Sequence, residues 1–439
     1  MRIERNNYLS KIVESKKDGL IKIVTGIRRS GKSYLLFVLF YEYLLSTGVE
    51  DKNIIRFAFD NDEDIDILED YYKDEPSKIY SDKENRKYII NSKKFRAYIN
   101  DVTKEKSDYY IILDEVQLLQ DFVGTLNGLL RHDNFDIYVT GSNSRFLSND
   151  VASEFRARGE QIRIQPLSFK EFYYCHDLSF EDAYSEYQYY GGLPYISIIT
   201  NNDKKIEYLS EVFSQLYLKD LMDRYDISSV ESFNELINIL SSSIGSYTNP
   251  SNIEKTFKSV LGVSYHHDTI SRHIEYLKDC FLIREAQRYD IKGRKYIGSN
   301  SKYYFVDLGL RNIRLNFRQQ EPTHIMENII FNELINRGYS VDVGIVEKNE
   351  KNENGNGIVK QLEVDFVCAK GSKKYYIQSA YKIFDDDKKN QEIRPLTAIS
   401  DSFKKIVIIN DSFKPWNDDS GILYLPLKEF LLNDDSVNF

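Results

Sequence analysis

The chain has 439 residues, 41% of them hydrophobic and 29% charged, and a formal net charge of −9. That length exceeds one ordinary core and predicts two or three domains, while the acidic balance excludes a protein that coats nucleic acid non-specifically, though not a local basic patch. Cys175, Cys280 and Cys368 are far apart with no C-x-x-C pair, which excludes a disulfide framework or a cysteine zinc site; with no charged-then-apolar leader and no long apolar run, a cytoplasmic protein that spans no membrane is expected.

In chain order, residues 20–25 form an apolar run of strand length, and residues 34–45 have the apolar spacing of a helix that Gly48 closes. Between them Gly26-Ile27-Arg28-Arg29-Ser30-Gly31-Lys32-Ser33 matches the phosphate loop G-x-x-x-x-G-K-[ST] in the strand-loop-helix context the pattern requires. The glycines permit a turn tight enough to aim backbone N–H groups at anionic oxygens, at the positive end of the following helix. The expected nucleotide-binding residues are Gly26, Ile27, Arg28, Arg29, Ser30, Gly31, Lys32, Ser33 and Tyr34. Lys32 would reach the β- and γ-phosphates, and Ser33 would ligate Mg2+.

Residues 53–59 read as a second strand, and the acidic stretch 60–70 as a solvated connection. Residues 109–115, Tyr-Tyr-Ile-Ile-Leu-Asp-Glu, form an apolar strand ending in two carboxylates, at the edge where such sheets bind ligands. Paired with the upstream loop, Asp114 is the expected Mg2+ partner, and Glu115 the group that orients the water attacking the γ-phosphate. A strand over 135–140 ends in Gly-Ser-Asn-Ser-Arg, where Asn143, or after it Ser142, stands ready to sense the γ-phosphate. Arg156 and Arg158 precede a strand over 161–164, and Arg158 is the expected arginine finger, supplied within the subunit or by a neighbour.

Five segments together carry a resemblance: 26–33, 111–117 (Ile-Ile-Leu-Asp-Glu-Val-Gln), 140–145 (Thr-Gly-Ser-Asn-Ser-Arg), 166–172 (Pro-Leu-Ser-Phe-Lys-Glu-Phe) and 191–194 (Gly-Gly-Leu-Pro). From about Arg5 to the C-terminus the chain resembles the prokaryotic AAA-type ATPases that have a C-terminal domain of unknown function. The resemblance implies an ATP-binding module of the additional-strand class, and ATP rather than GTP. It implies no particular physiological role.

Residues 169–227 have helical spacing and read as a lid that closes over the nucleotide. Helices over 233–244, 250–261 and 268–279, with Pro250 in a first turn, precede strands over 281–288 and 302–306. This is the order of a winged helix, whose third helix lies in the major groove in DNA-binding versions. Lys292, Arg294, Lys295 and Lys302 near the wing, with Arg272, His273 and Lys278 on the third helix, suit phosphate contact. A protein-contact module with solvated lysines has the same order. His266, His267 and His273 lack a metal spacing and read as surface residues.

The helix over 327–335 begins with Glu327, and strands over 363–367 and 375–380 carry Asp365, Gln378 and Ala380. This order resembles the restriction-endonuclease-like fold, in which a helix Glu, a strand Asp and a Glu-x-Lys gather a divalent metal. Gln378 and Ala380 stand at the places of the carboxylate and the lysine, so the fold is expected without cleavage chemistry. Lys382 brings an amine nearby, on the other face of an alternating strand.

The expected fold class is α/β: a P-loop NTPase parallel sheet with a helical lid, then a winged helix and a restriction-endonuclease-like α/β domain. The expected bounds are 1–168 for the AAA-type ATPase core, 169–230 for the lid, 231–318 for the winged helix and 319–439 for the last domain. The expected activity is ATP hydrolysis to ADP and phosphate, with ATP and Mg2+ as cofactors. Double-stranded DNA through the winged helix, a protein partner and a second copy of the chain are the partners considered, and no membrane. A Mg2+-dependent DNA nuclease regulated by ATP and a non-hydrolysing nucleotide-gated interaction module are the alternatives.

Overall fold

Strands β1 (Ile21–Gly26) and β2 (Ile54–Ala58) open the first sheet, and β3 (Lys78–Asp82) and β4 (Lys87–Ile90) form a separate antiparallel pair. Strands β5 (Tyr109–Asp114), β6 (Phe135–Thr140) and β7 (Gly159–Ile164) complete the first sheet in the order β2-β5-β6-β1-β7. All its neighbours are parallel. β1 and β5 are buried along their whole length, because a parallel sheet is covered on both faces and its strands read as continuous apolar runs. The side chains still alternate: Ile23, Phe57, Ile111 and Val139 pack into one core, and Val24, Ile54, Ile112 and Tyr138 into the other. β6 stands between the P-loop strand β1 and the carboxylate strand β5, which is the additional strand the resemblance implies.

The computed structural model describes residues 2–82, 87–141, 155, 158–227, 229–351, 357–382 and 386–438. The chain divides into two units, 2–166 and 167–439. Among the described residues no helix is long and apolar enough to cross a membrane.

The acidic stretch after β2 is not a solvated connection. Asn61 caps a helix, Asp62–Ile67, that continues as the 3-10 turn Leu68–Asp70 and buries Ile65 and Leu68. Asp62, Glu63 and Asp64 lie in its first turn, where the helix dipole favours negative charge.

In the second unit, helices Val230–Ser242, Pro250–Thr256 and His267–Asp279 are interleaved with β8 (Tyr247–Thr248) and followed by the hairpin β9 (Ile283–Asp290) and β10 (Lys295–Phe305). β8 pairs with β10, and β9 pairs in parallel with β11 (Ser340–Lys351). With β12 (Gly357–Lys370), β13 (Lys373–Ala380), β14 (Lys404–Ile409), β15 (Trp416–Asn417) and β16 (Ile422–Pro426), one nine-stranded sheet runs β15-β16-β14-β13-β12-β11-β9-β10-β8. The expected boundary at 318/319 is therefore bridged: the free edge of the hairpin is satisfied by β11.

The helical segment after Pro166 is likewise anchored inside the second unit. Helix Phe169–Tyr174 starts on a Ser168/Glu171 capping box, which accounts for the Ser-Phe-Lys-Glu run. The buried Asp307 carboxylate accepts the N–H of Gly192 at 2.8 Å and of Leu310 at 3.1 Å. Asn312 donates to the carbonyls of Gln188 and Tyr189, each at 2.9 Å. Gly191 sits at φ +77°, and a Cβ there would stand 2.3 Å from Asp307 Oδ1. The Gly-Gly-Leu-Pro run is thus a close fit around one carboxylate.

Candidate nucleotide-binding site

β1 ends at Gly26, where φ is +146° and a Cβ would come 2.3 Å from the Ile164 carbonyl oxygen of β7. Only glycine lets the two strands lie this close as the chain leaves the sheet. The loop then turns into a helix formed by Lys32–Tyr34, Leu35–Phe40 with π-type bonding, and Tyr41–Ser46. The Ser30 hydroxyl donates to the Ile27 carbonyl at 2.8 Å. Arg5 braces the loop from outside, donating to the Ser30 carbonyl at 3.1 Å and the Gln165 carbonyl at 2.7 Å. Tyr34 packs against the core on the helix side of the sheet.

Lys32 is 6% exposed and folds back on its own loop, donating to the carbonyls of Gly26 and Ile27, each at 3.1 Å. Burial pulls its pKa down to about 8, against the opposing pull of Glu115 and Asp114. Carbonyl oxygens are weak substitutes for phosphate, so the ammonium is held in place with its charge poorly compensated.

Asp114, 8% exposed, ends β5. Burial raises its carboxyl above the ordinary range, and hydrogen bonds from the hydroxyls of Ser33 and Thr140 oppose that rise. Glu115 follows in the left-handed region at φ +52°, uncommon for a residue with a Cβ, and its N–H bonds Asp114 Oδ1 at 3.2 Å. Its Oε2 accepts the amide of Gln117. Asp60, just past β2, has its carboxyl raised by burial and then by Asp114 and Glu115. Carboxylates at the carboxyl ends of adjacent strands thus face one lysine and one serine hydroxyl. This all-oxygen donor set suits Mg2+, which Ser33 and Asp114 could hold.

The structure brings Gly26 to Ser33, Asp114 and Glu115 together. Ser142, Asn143 and Arg156 lie outside the described residues. Arg158 is exposed and its carbonyl accepts the Ile21 N–H at 2.9 Å. Ile21 opens β1 and Gly26 closes it, so Arg158 stands at the far end of the strand, roughly 17 Å from the loop at about 3.3 Å per residue. It does not reach a nucleotide on its own loop. Arg5 and Asp60 escape the sequence reading, with no motif to mark them; Thr140 opens the 140–145 segment at the tip of β6 but is given no role there.

Of the basic residues expected on a DNA-facing surface, Arg272, Lys292, Arg294 and Lys295 are exposed. Lys302 is not: it is buried between Glu327 and Glu363. Burial pulls its pKa down, and the pull of Glu327, Asp365 and Glu363 more than offsets this and holds it above the ordinary lysine range. His273 is buried too, against the Tyr265 hydroxyl, and Lys278 is engaged by Glu275 and Glu285. His266 and His267, read as lacking a metal spacing, gather with Glu254 so that one ligand atom of each lies within 4.8 Å of the others, His266 exposed and the other two half-buried.

Residues 18–173 match the model of the AAA domain, and residues 181–321 that of a domain of unknown function (DUF8612). The chain is 30% identical over 436 residues to an uncharacterized protein of Haemophilus influenzae, covering 98% of each. It is 27% identical over 415 residues to an uncharacterized protein of Methanocaldococcus jannaschii, covering 90% of this chain and 81% of that one. Among solved structures it is similar to the Aeropyrum pernix ORC2 protein in its ADPNP-ADP complexes, at 13% identity and TM-score 0.36, over 72% of this chain and 94% of that one. Drosophila ORC bound to AT-rich DNA and Cdc6 overlaps at 9% identity and TM-score 0.22, over the same 72% and 94%. Overlaps this loose decide nothing about ligands or partners.

Proposed function

We propose that this chain, which belongs to the family of the Haemophilus influenzae protein it matches end to end and carries an AAA domain, hydrolyses ATP to ADP and phosphate. The observation that carries the reading is the convergence of Lys32 and Ser33 with Asp114 and Glu115 at the carboxyl ends of β1 and β5. The turned backbone at 26–31 and the start of the next helix offer N–H groups to the phosphates. Lys32 exchanges two carbonyls for phosphate oxygens. Ser33 and Asp114 would hold Mg2+, which would supply charge neutralisation at the β- and γ-phosphates. Glu115 orients and polarises the attacking water, and Gln117 steadies its carboxylate. Thr140 fixes the Asp114 oxygen and so sets the aim of that carboxylate. Asn143, three residues past the end of β6 in sequence and outside the described residues, senses the γ-phosphate. Arg158 serves the nucleotide of a neighbouring copy, which agrees with its place away from its own loop. Phosphate release that rises per subunit with protein concentration, and falls in Arg158→Ala, tests the last role.

A second reading concerns the other unit. The order helix, β8, helix, helix, β9, β10, with β8 paired to β10, supports a winged helix spanning about residues 231–318. The exposed Lys292, Arg294 and Lys295 at the hairpin tip support contact with the phosphates of double-stranded DNA. Helix Pro322–Asn336 followed by β11, β12 and β13 supports a restriction-endonuclease-like fold beyond it. ATP turnover with and without duplex DNA, in the chain and in a Lys292→Glu/Arg294→Glu/Lys295→Glu variant, tests whether that unit reads DNA and reports to the nucleotide.

A further inference from the structure

The second unit holds a charge cluster, buried except for the half-buried Glu363, that the nucleotide chemistry does not use. Glu327 lies on helix Pro322–Asn336, Glu363 and Asp365 stand two residues apart on β12, and Gln378 lies on β13. Lys302 enters from β10, 3% exposed, and its ammonium lies 2.8 Å from Glu327 Oε1 and 2.6 Å from Glu363 Oε1. Tyr304 donates to the same Glu327 oxygen at 2.6 Å. Asp365 Oδ2 accepts the Ser379 N–H at 2.8 Å, and the Gln378 amide oxygen accepts the Asp365 N–H at 3.4 Å.

In the nuclease-like fold such a set gathers a divalent metal. These residues do not fit one. The oxygens of Glu327 and Glu363 that converge are already bridged by an ammonium, Gln378 has turned its acceptor oxygen to the backbone, and Ala380 is buried without an amine. A cation tethered to the chain needs no free ion to be captured, and it satisfies buried carboxylates that would otherwise be strongly destabilising.

We propose that Lys302 is a resident cation, standing where a divalent metal would bind among Glu327, Glu363 and Asp365, so that this unit keeps its charge cluster without metal and cleaves no phosphodiester bond by a metal route. The inference rests on the restriction-endonuclease-like reading of this unit and on the geometry of these side chains. It stands apart from the ATPase reading, and ATP turnover enters no arm of its test.

The test uses the full chain without nucleotide, with Mn2+ as the probe. Wild type, Asp365→Asn, Lys302→Met and the Lys302→Met/Asp365→Asn double variant are melted in EDTA and in Mn2+. Wild type and Asp365→Asn are expected to respond to Mn2+ equally. Lys302→Met is expected to melt lower in EDTA and to regain much of the loss in Mn2+, a regain absent from the double variant. A Mn2+ response of the wild type that Asp365→Asn removes overturns the proposal, and so does a folded Lys302→Met indifferent to Mn2+. If Lys302→Met folds in neither condition, Mn2+ binding followed by its paramagnetic resonance decides: equal binding by wild type and Asp365→Asn supports the resident cation, and an ion lost with Asp365 overturns it. Plasmid nicking by the wild type in Mn2+ that Asp365→Asn abolishes overturns it as well.

Discussion

Raising the pH should weaken ATP binding through a single lysine. Without nucleotide Lys32 is buried against the carbonyls of Gly26 and Ile27, and its pKa is pulled down to about 8. Phosphate oxygens favour the charged form, so the bound state keeps its proton well above that value. Free protein that has lost the proton must regain it to bind, and affinity therefore falls as pH rises through about 8. At about pH 9.5 only roughly one free molecule in 30 carries the charge, so Kd rises about 30-fold over its value near neutrality, or about 2 kcal/mol. Titration calorimetry in two buffers of different ionisation enthalpy reads the same effect as uptake of about 0.9 proton per ATP near pH 9. Lys32→Arg, which cannot lose its charge in this range, should flatten the profile. A Kd unchanged to about pH 9.5 with no proton uptake would refute the reasoning, because Lys32 would then be fully charged before nucleotide arrives.

Other outcomes follow from the packing. Lys22 is fully buried in β1 with its ammonium 2.7 Å from Asp136 Oδ1 and 2.6 Å from Asp18 Oδ1, so Asp136→Ala leaves one carboxylate partner and should cost about 1–3 kcal/mol in denaturant melts. Burial pulls the His273 pKa down to about 4 from an ordinary 6.5, so its contribution is present above about pH 6.5 and is lost as pH falls through 4. That is about 3 kcal/mol of acid sensitivity, and His273→Gln should flatten the acid limb of thermal stability, a result that an unchanged limb would contradict. Gly191→Ala meets both a left-handed φ and the Asp307 carboxylate, and should lower the melting midpoint by the equivalent of about 2 kcal/mol or more.

The first sheet was legible because β1 and β5 are buried on both faces and therefore read as unbroken apolar runs ending in functional residues. Asp114 and Glu115 followed from that position. Over 60–70 the sequence does not separate acids in a helix's first turn from acids in a solvated loop, because the two have the same composition; the burial of Ile65 and Leu68 is what separates them. Arg158 precedes β7, and a parallel strand begins at the end of the sheet opposite the loop, so of the two origins the sequence leaves open the geometry favours a neighbouring copy. Lys302 reads with the wing lysines because residues 291–305 carry no acid of their own; the carboxylates that bury it, Glu327 and Glu363, lie on a helix and a strand further along the chain. The Gly-Gly-Leu-Pro run was visible as a motif, but its reason, the Asp307 carboxylate, lies more than a hundred residues further along.

The central claim is that Glu115 activates the water that cleaves ATP on this P-loop. Phosphate release by the wild type and by Glu115→Gln, with ATP binding measured on both, tests it most directly. The account predicts that the wild type releases phosphate and that Glu115→Gln binds ATP with similar affinity while turning over about 100-fold more slowly or less. Turnover by Glu115→Gln at the wild-type rate, or a wild type that binds ATP and releases no phosphate across a range of protein concentration with duplex DNA present, would contradict it.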